Sequence, residues 1–270
     1  MLKLKDRTAV VTGAASGIGR AIAASLARRG CHLALADIDD AALARTASEL
    51  AEPGVRISRY HLDVSDRDAV AAFPARVIAE HDGVDVLVNN AGVALGGTFP
   101  EVAERDFDWL FAINFFGVVR MTRAFLPLLY KSEEARLVNI SSLFGLIAPP
   151  GQTAYAASKF AVRGFSESLR HELARTRIGV TAVHPGGVAT SIAKNARLPN
   201  SLSADEVTKR RKFFNSFLIM PPEVAGETIV RGVERRKVRI VVGTDAKMAA
   251  FVERLMPVTY WNWLGRGSKQ

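Results

Sequence analysis

Short runs of β-branched and aliphatic residues alternate with longer segments of helical period through the first two thirds of this chain, and that alternation narrows the fold more than any single motif. Strands are expected at Thr8–Thr12, His32–Ala36, Arg56–Leu62, Val84–Val88, Arg136–Ile140, Val180–His184 and Val238–Val242, seven in all. Helical stretches lie between them at Ile18–Arg29, Ala41–Ala51, Arg67–Glu80, Arg105–Tyr130, Thr153–Arg175 and Glu223–Arg235. Parallel strands need right-handed crossovers, which these helices supply. The expected fold is α/β: a doubly wound sheet of seven parallel strands with helices on both faces, binding ligands outside the carboxyl ends of the strands. Pro221 and Pro222 before Glu223 read as a helix start, because proline at the first helical position forfeits no needed hydrogen bond. Gly186 to Met220 is then a long insertion ahead of the last helix.

With 270 residues, 49% of them hydrophobic and 23% charged, the chain can bury one continuous core, so residues 1–270 are read as a single domain. Cys31 is the only cysteine, which excludes an intramolecular disulfide or a thiolate metal cluster and fits a reducing, cytoplasmic setting. Met1 to Asp6 shows no leader pattern, and no run of about 18 apolar residues suggests a membrane span. The formal charge of +9 is scattered. Its densest clusters, Lys209–Lys212 and Arg235–Arg239, lack interleaved aromatics and read as solvated helix ends, so no nucleic-acid partner is expected.

Directly after the first strand comes Thr12-Gly13-Ala14-Ala15-Ser16-Gly17-Ile18-Gly19, opening into a helix. Glycines allow a tight turn and close approach of a pyrophosphate, while the helix start offers free N–H groups and a positive dipole. The spacing is not G-x-G-x-x-G, and a glycine turn alone is weak evidence. Eighteen residues beyond Gly19, at the end of the second strand, Asp37 can accept hydrogen bonds from ribose hydroxyls and would repel a 2′-phosphate. With Ser16 and Ile38 uncharged, NAD is favoured and NADP is the alternative, Arg20 being the one nearby cation that could serve either.

Tyr155-Ala156-Ala157-Ser158-Lys159 lies in a helical stretch, so phenol and ammonium share one face. A nearby cation lowers a phenol's pKa from about 10 towards the range where it exchanges protons with an alcohol or carbonyl oxygen. On its own such a pair is common by chance.

Taken in order, the motifs resemble the short-chain dehydrogenases/reductases over nearly the whole chain. Thr12 to Gly19 matches that family's TGxxxGxG turn, Asp63-Val64 its adenine-pocket pair and Asn89-Asn90-Ala91-Gly92 its NNAG segment. Asn114 on the long fifth helix, Ser141-Ser142 after the fifth strand, the Tyr155/Lys159 pair and Pro185-Gly186-Gly187-Val188-Ala189-Thr190 complete the set. The resemblance implies a Rossmann-like fold and hydride transfer between a nicotinamide cofactor and a small-molecule alcohol or carbonyl. It implies that Tyr155 exchanges the proton, that Lys159 lowers its pKa and holds the nicotinamide ribose, and that Ser142 binds the reacting oxygen. Ser142 is preferred to Ser141 because it precedes Tyr155 by thirteen residues, the family's spacing. Asn114 would position a water linking Lys159 to solvent. Gly13, Ser16, Gly17, Ile18, Gly19, Asp37, Asp63, Val64, Asn90, Ala91, Gly92, Pro185, Gly186, Val188 and Thr190 would line the cofactor together with Tyr155 and Lys159. The family also implies a homodimer or homotetramer.

No metal is called for, since the nicotinamide carries the hydride. His32, His61, His81, His171 and His184 show no ligand spacing and are read as structural. The insertion, residues 186–220, resembles a substrate lid, and Phe213, Phe214, Phe217, Leu218, Ile219 and Met220 in it suit a hydrophobic substrate, or packing against the protein itself. The tail, residues 249–264, carries Phe251, Val252, Leu255 and Met256, then Pro257, Tyr260, Trp261, Trp263 and Leu264, flanked by Arg254 and Arg266. Packing on a neighbouring subunit or beside the substrate mouth is its favoured use, contact with a membrane surface the lesser one. Two rivals stand beside the enzyme: a dinucleotide-binding scaffold without turnover, and a reductase peripheral to a membrane.

Overall fold

The computed structural model describes residues 1–265. Among them, seven strands form: β1 (Thr8–Thr12), β2 (His32–Asp37), β3 (Ile57–His61), β4 (Val86–Asn89), β5 (Ala135–Ile140), β6 (Ile178–Pro185) and β7 (Arg239–Val242). They pair in the order β3-β2-β1-β4-β5-β6-β7, every pair parallel. The chain winds outward from β1 through β2 to β3, then crosses back to β4 and winds the other way. A crevice therefore opens between the carboxyl ends of β1 and β4, where the connections part to opposite faces. β1, β4 and β5 are buried along their whole length, as their unbroken apolar runs require of strands covered on both faces. β3, at the edge, alternates buried Ser58 and Tyr60 with exposed Arg59 and His61.

Ten α-helices surround the sheet among the described residues: α1 (Gly17–Ala27), α2 (Asp40–Glu49), α3 (Arg67–Ile78), α4 (Glu104–Phe111), α5 (Val118–Lys131), α6 (Thr153–Glu172), α7 (Ala204–Ser216), α8 (Pro222–Glu234), α9 (Thr244–Leu255) and α10 (Tyr260–Leu264). One core lies under α1 and α8, around Ile22, Leu26, Leu33, Leu35, Ile229 and Val233. Gly226 lets those two helices touch, because a methyl there would stand 2.5 Å from the carbonyl carbon of Ala21. The opposite core lies under α3 and α5, where Phe73 meets Phe125 edge-on at 5.3 Å.

Two regions depart from expectation. The stretch expected as one helix, Arg105–Tyr130, is interrupted by a π-helical segment, Ala112–Gly117, between α4 and α5. Such a segment widens one turn, and π-turns of this kind cluster at functional sites; here it carries the buried Asn114. The run Glu104–Lys131 is, by length and composition, long and apolar enough to cross a membrane, contrary to the sequence expectation. Leu110, Asn114, Met121, Phe125 and Leu129 on it are nevertheless buried in the protein. The insertion, in turn, is not plain loop. It holds α7, started by a capping box in which Ser203 and Glu206 satisfy each other's backbone N–H groups.

Candidate active site

The glycine turn packs against the segment that follows β4. Gly13 and Gly17 adopt φ of +63° and +55°, open to glycine at little cost. A methyl at Gly13 would lie 2.9 Å from the Cα of Ala91, and one at Gly19 would collide with the carbonyl of Gly13. The Asn90 carboxamide donates to the carbonyls of Thr12 (2.9 Å) and Gly13 (3.1 Å). Thr12 Oγ1 accepts from the backbone N–H groups of Asn90 and Ala91, both at 3.0 Å, and so ties the ends of β1 and β4 together. No side chain caps α1, whose Ser16 precedes Gly17, Ile18 and Gly19, leaving its first N–H groups directed at the crevice.

Asp37 is set at the rim of this turn, its carboxylate accepting from the N–H groups of Ala15 (2.9 Å) and Asp39 (3.1 Å). Beside it Ile38 is 63% exposed. Asp63 accepts from the backbone and hydroxyl of Ser65, at 2.8 and 2.7 Å. Val64 packs where Gly117 has no side chain. Thr190 closes the other side, its methyl 3.0 Å from where a Cβ on Gly17 would sit. Pro185 ends β6 paired with Val242, Val188 bridges to Met220, and Gly186 leaves room for the carboxylate of Asp245. An uncapped helix start, a glycine cradle and a rim carboxylate fit the diphosphate and ribose of a dinucleotide.

Ser142, Tyr155 and Lys159 converge beyond the end of β5. The Lys159 ammonium donates to the carbonyl of Ile140 at 3.2 Å and lies 5.7 Å from the centre of the Tyr155 ring. Burial pushes Lys159 down to about 8. Burial also raises Tyr155 above its ordinary value, and the hydrogen bond from Ser142, not Lys159, is what opposes the rise. Both groups are thus desolvated, and burial dominates the shift of each.

The two serines divide. Ser141 is buried and its hydroxyl donates to the Lys159 carbonyl at 2.8 Å, whereas Ser142 Oγ accepts from the Phe144 N–H at 3.1 Å and faces Tyr155. The Asn114 carboxamide is fixed on three sides: Oδ1 accepts from Val93 N–H (2.8 Å), while Nδ2 donates to the Val93 carbonyl (2.9 Å) and Ser158 Oγ (3.3 Å). It still lies beside Lys159, since both surround the space where Gly92 lacks a Cβ.

Several further neighbours surround the cluster, of which Ser158 and Phe144 carry no role from sequence, while the sequence reads His184 as structural and Tyr260 as part of a packing tail. Ser158 donates to the Tyr155 carbonyl at 2.8 Å and links it to Asn114. Phe144 meets the Tyr155 ring edge-on at 6.1 Å. His184 is fully buried behind Ser142, with Nδ1 3.1 Å from its carbonyl, and burial pushes the imidazole down to about 4. The Tyr260 hydroxyl accepts from the Ala148 N–H at 3.0 Å, which packs the tail on the loop after Ser142. Phe251, Leu255 and Trp263 stay more than half exposed, and Arg266 lies outside the described residues. The one-turn spacing of Tyr155 and Ser158 is the signal that could have found the first of these contacts, and the aromatic tail pointed to the last.

A doubly wound parallel sheet with this glycine turn and a Ser–Tyr–Lys cluster at adjoining strand ends defines a class of α/β oxidoreductase folds. The family model described as short chain dehydrogenase matches residues 7–200. SadH of Mycobacterium tuberculosis, an oxidoreductase by name, is 42% identical over 269 residues, covering 99% of this chain and 97% of its own. Among solved structures, a short-chain dehydrogenase/reductase from Burkholderia phymatum in complex with NAD superposes with TM-score 0.87 at 29% identity, covering 94% of this chain and 95% of that one. An alcohol dehydrogenase from the archaeon Thermococcus sibiricus, complexed with 5-hydroxy-NADP, gives TM-score 0.74 at 29% identity, covering 88% and 94%. The chain belongs to the short-chain dehydrogenase/reductase family and is an oxidoreductase of that family.

Proposed function

We propose that this protein interconverts an alcohol and a ketone or aldehyde by hydride transfer with NAD, NADP being the alternative cofactor, and that its substrate is hydrophobic. The observation that carries this is the meeting of Ser142, Tyr155 and Lys159 at the mouth of the crevice that the glycine turn and Asn90 open. When bound, the nicotinamide supplies or takes the hydride. Ser142 donates a hydrogen bond to the substrate oxygen, and Tyr155, kept as a neutral phenol by burial, gives that oxygen its proton. Lys159, with its ammonium loosened to about 8, is the group that returns a proton to the site near neutral pH. Asn114, fixed by Val93 and Ser158 beside Lys159, positions the water that links Lys159 to solvent.

Asp37 supports NAD, because a carboxylate at the ribose end repels a 2′-phosphate and no cation stands at Ile38. The relatives divide in the same way, the Burkholderia protein holding NAD and the Thermococcus protein an NADP derivative. Residues 186–220 act as the lid of one domain, with Phe213 and Phe217 stacked edge-on at 5.0 Å and Ile219 81% exposed near the mouth. The buried lone Cys31 suits a cytoplasmic setting, and a homodimer or homotetramer is the expected assembly. Oxidation of NADH and NADPH across a panel of ketones, aldehydes and sugars tests the proposal. Turnover faster with NADH and with bulky apolar ketones is expected; a preference for small sugars overturns the substrate, and no turnover with any carbonyl or alcohol overturns the reaction.

A further inference from the structure

At the far end of the sheet from Tyr155, the amino ends of β5 and β6 border a surface cleft of about 470 Å³. Arg136, Arg170, Arg177 and Arg236 line it against Glu133 and Glu134, so its ionised groups carry a positive excess. Ligand clefts commonly have volumes of this order. Arg136 stands at the start of β5, six residues before Ser142 and thus roughly 20 Å from the catalytic cluster along an extended strand.

The guanidinium of Arg136 is the anomaly. The residue is 7% exposed, and its Nε is buried with no hydrogen-bond partner. Its acidic neighbour, Glu134, forms a long ion pair with Nη2 at 3.6 Å and leaves Nε unmet. That carboxylate is shared with Arg236, which donates to both of its oxygens at 2.5 and 2.7 Å, so one acid serves two guanidinium groups. The side chain has a purpose-shaped seat: any Cβ on Gly179 would collide with Nη1. Burial lowers the pKa of Arg136 by more than Glu134 raises it, so its lost hydration is only partly made good within the chain. Nature seldom buries an arginine unless it is paired and hydrogen-bonded. Arg170 contributes a further cation at the rim, its Nη2 3.0 Å from His171 Nε2.

We propose that this cleft is a binding site for a compact multivalent oxyanion, a phosphate or polycarboxylate group, gripped by Arg136 from below and by Arg170 and Arg177 at the rim. Guanidinium forks match both of these groups bidentately, and a group of charge −2 or more neutralises the positive excess of the cleft. The site is separate from the glycine turn and does not depend on the proposed reaction.

Calorimetric titration of the full chain with inorganic phosphate and with citrate, at ionic strength matched by sodium chloride, tests it. The titrations are made with NAD and NADP present in excess so that the turn is filled. Saturable binding of one or both anions is expected, the stronger of the two identifying the chemistry. The R170Q/R177Q variant and the R136M variant are each expected to bind at least tenfold more weakly, and R211Q/K212Q on α7 to bind as the parent does. R170Q/R177Q keeps the test decisive should R136M fail to fold. No saturable binding, binding unchanged in R170Q/R177Q, or equal weakening in R211Q/K212Q would each overturn the proposal, the last by reducing it to the general basic field.

Discussion

The ammonium of Lys159 is moored to the carbonyl oxygen of Ile140 at 3.2 Å, so the last residue of β5 sets where the lysine's proton sits relative to Tyr155. The mooring is inside the protein, and burial holds Lys159 at about 8 against an ordinary 10.5. The unfolded chain keeps a proton between pH 8 and 10.5 that the folded chain has lost, so stability from this group rises with pH across that window. Below pH 8 the folded state carries the whole penalty, at most about 3 kcal/mol. Lys159→Met is therefore expected to melt no lower than the parent at pH 7 and to lose the rise above pH 8, while turnover falls at least about 100-fold. Thermal unfolding from pH 6 to 10.5 with parallel rates checks this, and a large loss of stability at pH 7 contradicts it.

His184 gives the acid side its own signature. Its imidazole is neutral in the fold because burial pushes it to about 4, while the unfolded chain titrates it near 6.5. Stability from it is complete above pH 6.5 and falls away as pH drops towards 4, by about 3 kcal/mol at most. In His184→Gln the slope of stability between pH 6.5 and 4.5 should flatten. Denaturant titrations at half-unit intervals read that slope, and an unchanged slope assigns the acid loss to other groups.

Asp37 and the exposed Ile38 stand together at the ribose end of the crevice. Replacing them by serine and arginine removes a repulsion and adds a partner for a 2′-phosphate. The double variant should shift the ratio of kcat/KM for NADPH over NADH upward by at least about 100-fold, worth some 2.7 kcal/mol. A ratio that does not move places the discriminating contact elsewhere.

Gly19 has no room for a side chain, since a methyl would run into the Gly13 carbonyl and the Asn90 carboxamide. Gly19→Ala should cost about 1–3 kcal/mol of stability and weaken dinucleotide binding by at least tenfold, because turn and strand end must part. Denaturation midpoints and fluorescence titration with NADH measure both, and parent-like values in each contradict the packing described.

Much of this was legible in the residues themselves. Buried parallel strands announce themselves as unbroken apolar runs, and the glycine turn, Asn90 and Ser142 follow strand ends where the topology gathers them with Tyr155 and Lys159 of α6. The π segment was not legible, because Ala112–Gly117 reads with ordinary helical periodicity and its widened turn is a matter of packing around Asn114. The burial of the pair was not legible for a related reason: spacing reports that an ammonium is near but not how much water both groups lose. His184 and Tyr260 reach the site from β6 and α10, distant in sequence, so no local pattern connects them to Ser142 and Ala148.

The phenol of Tyr155 as the proton donor is tested most directly by Tyr155→Phe, which deletes one oxygen and leaves the ring against Phe144. With NADH and a ketone that the parent reduces, the variant should lose at least about 100-fold in kcat while binding NADH within threefold of the parent and melting at the same temperature. Retention of more than a tenth of the parent kcat would contradict the account.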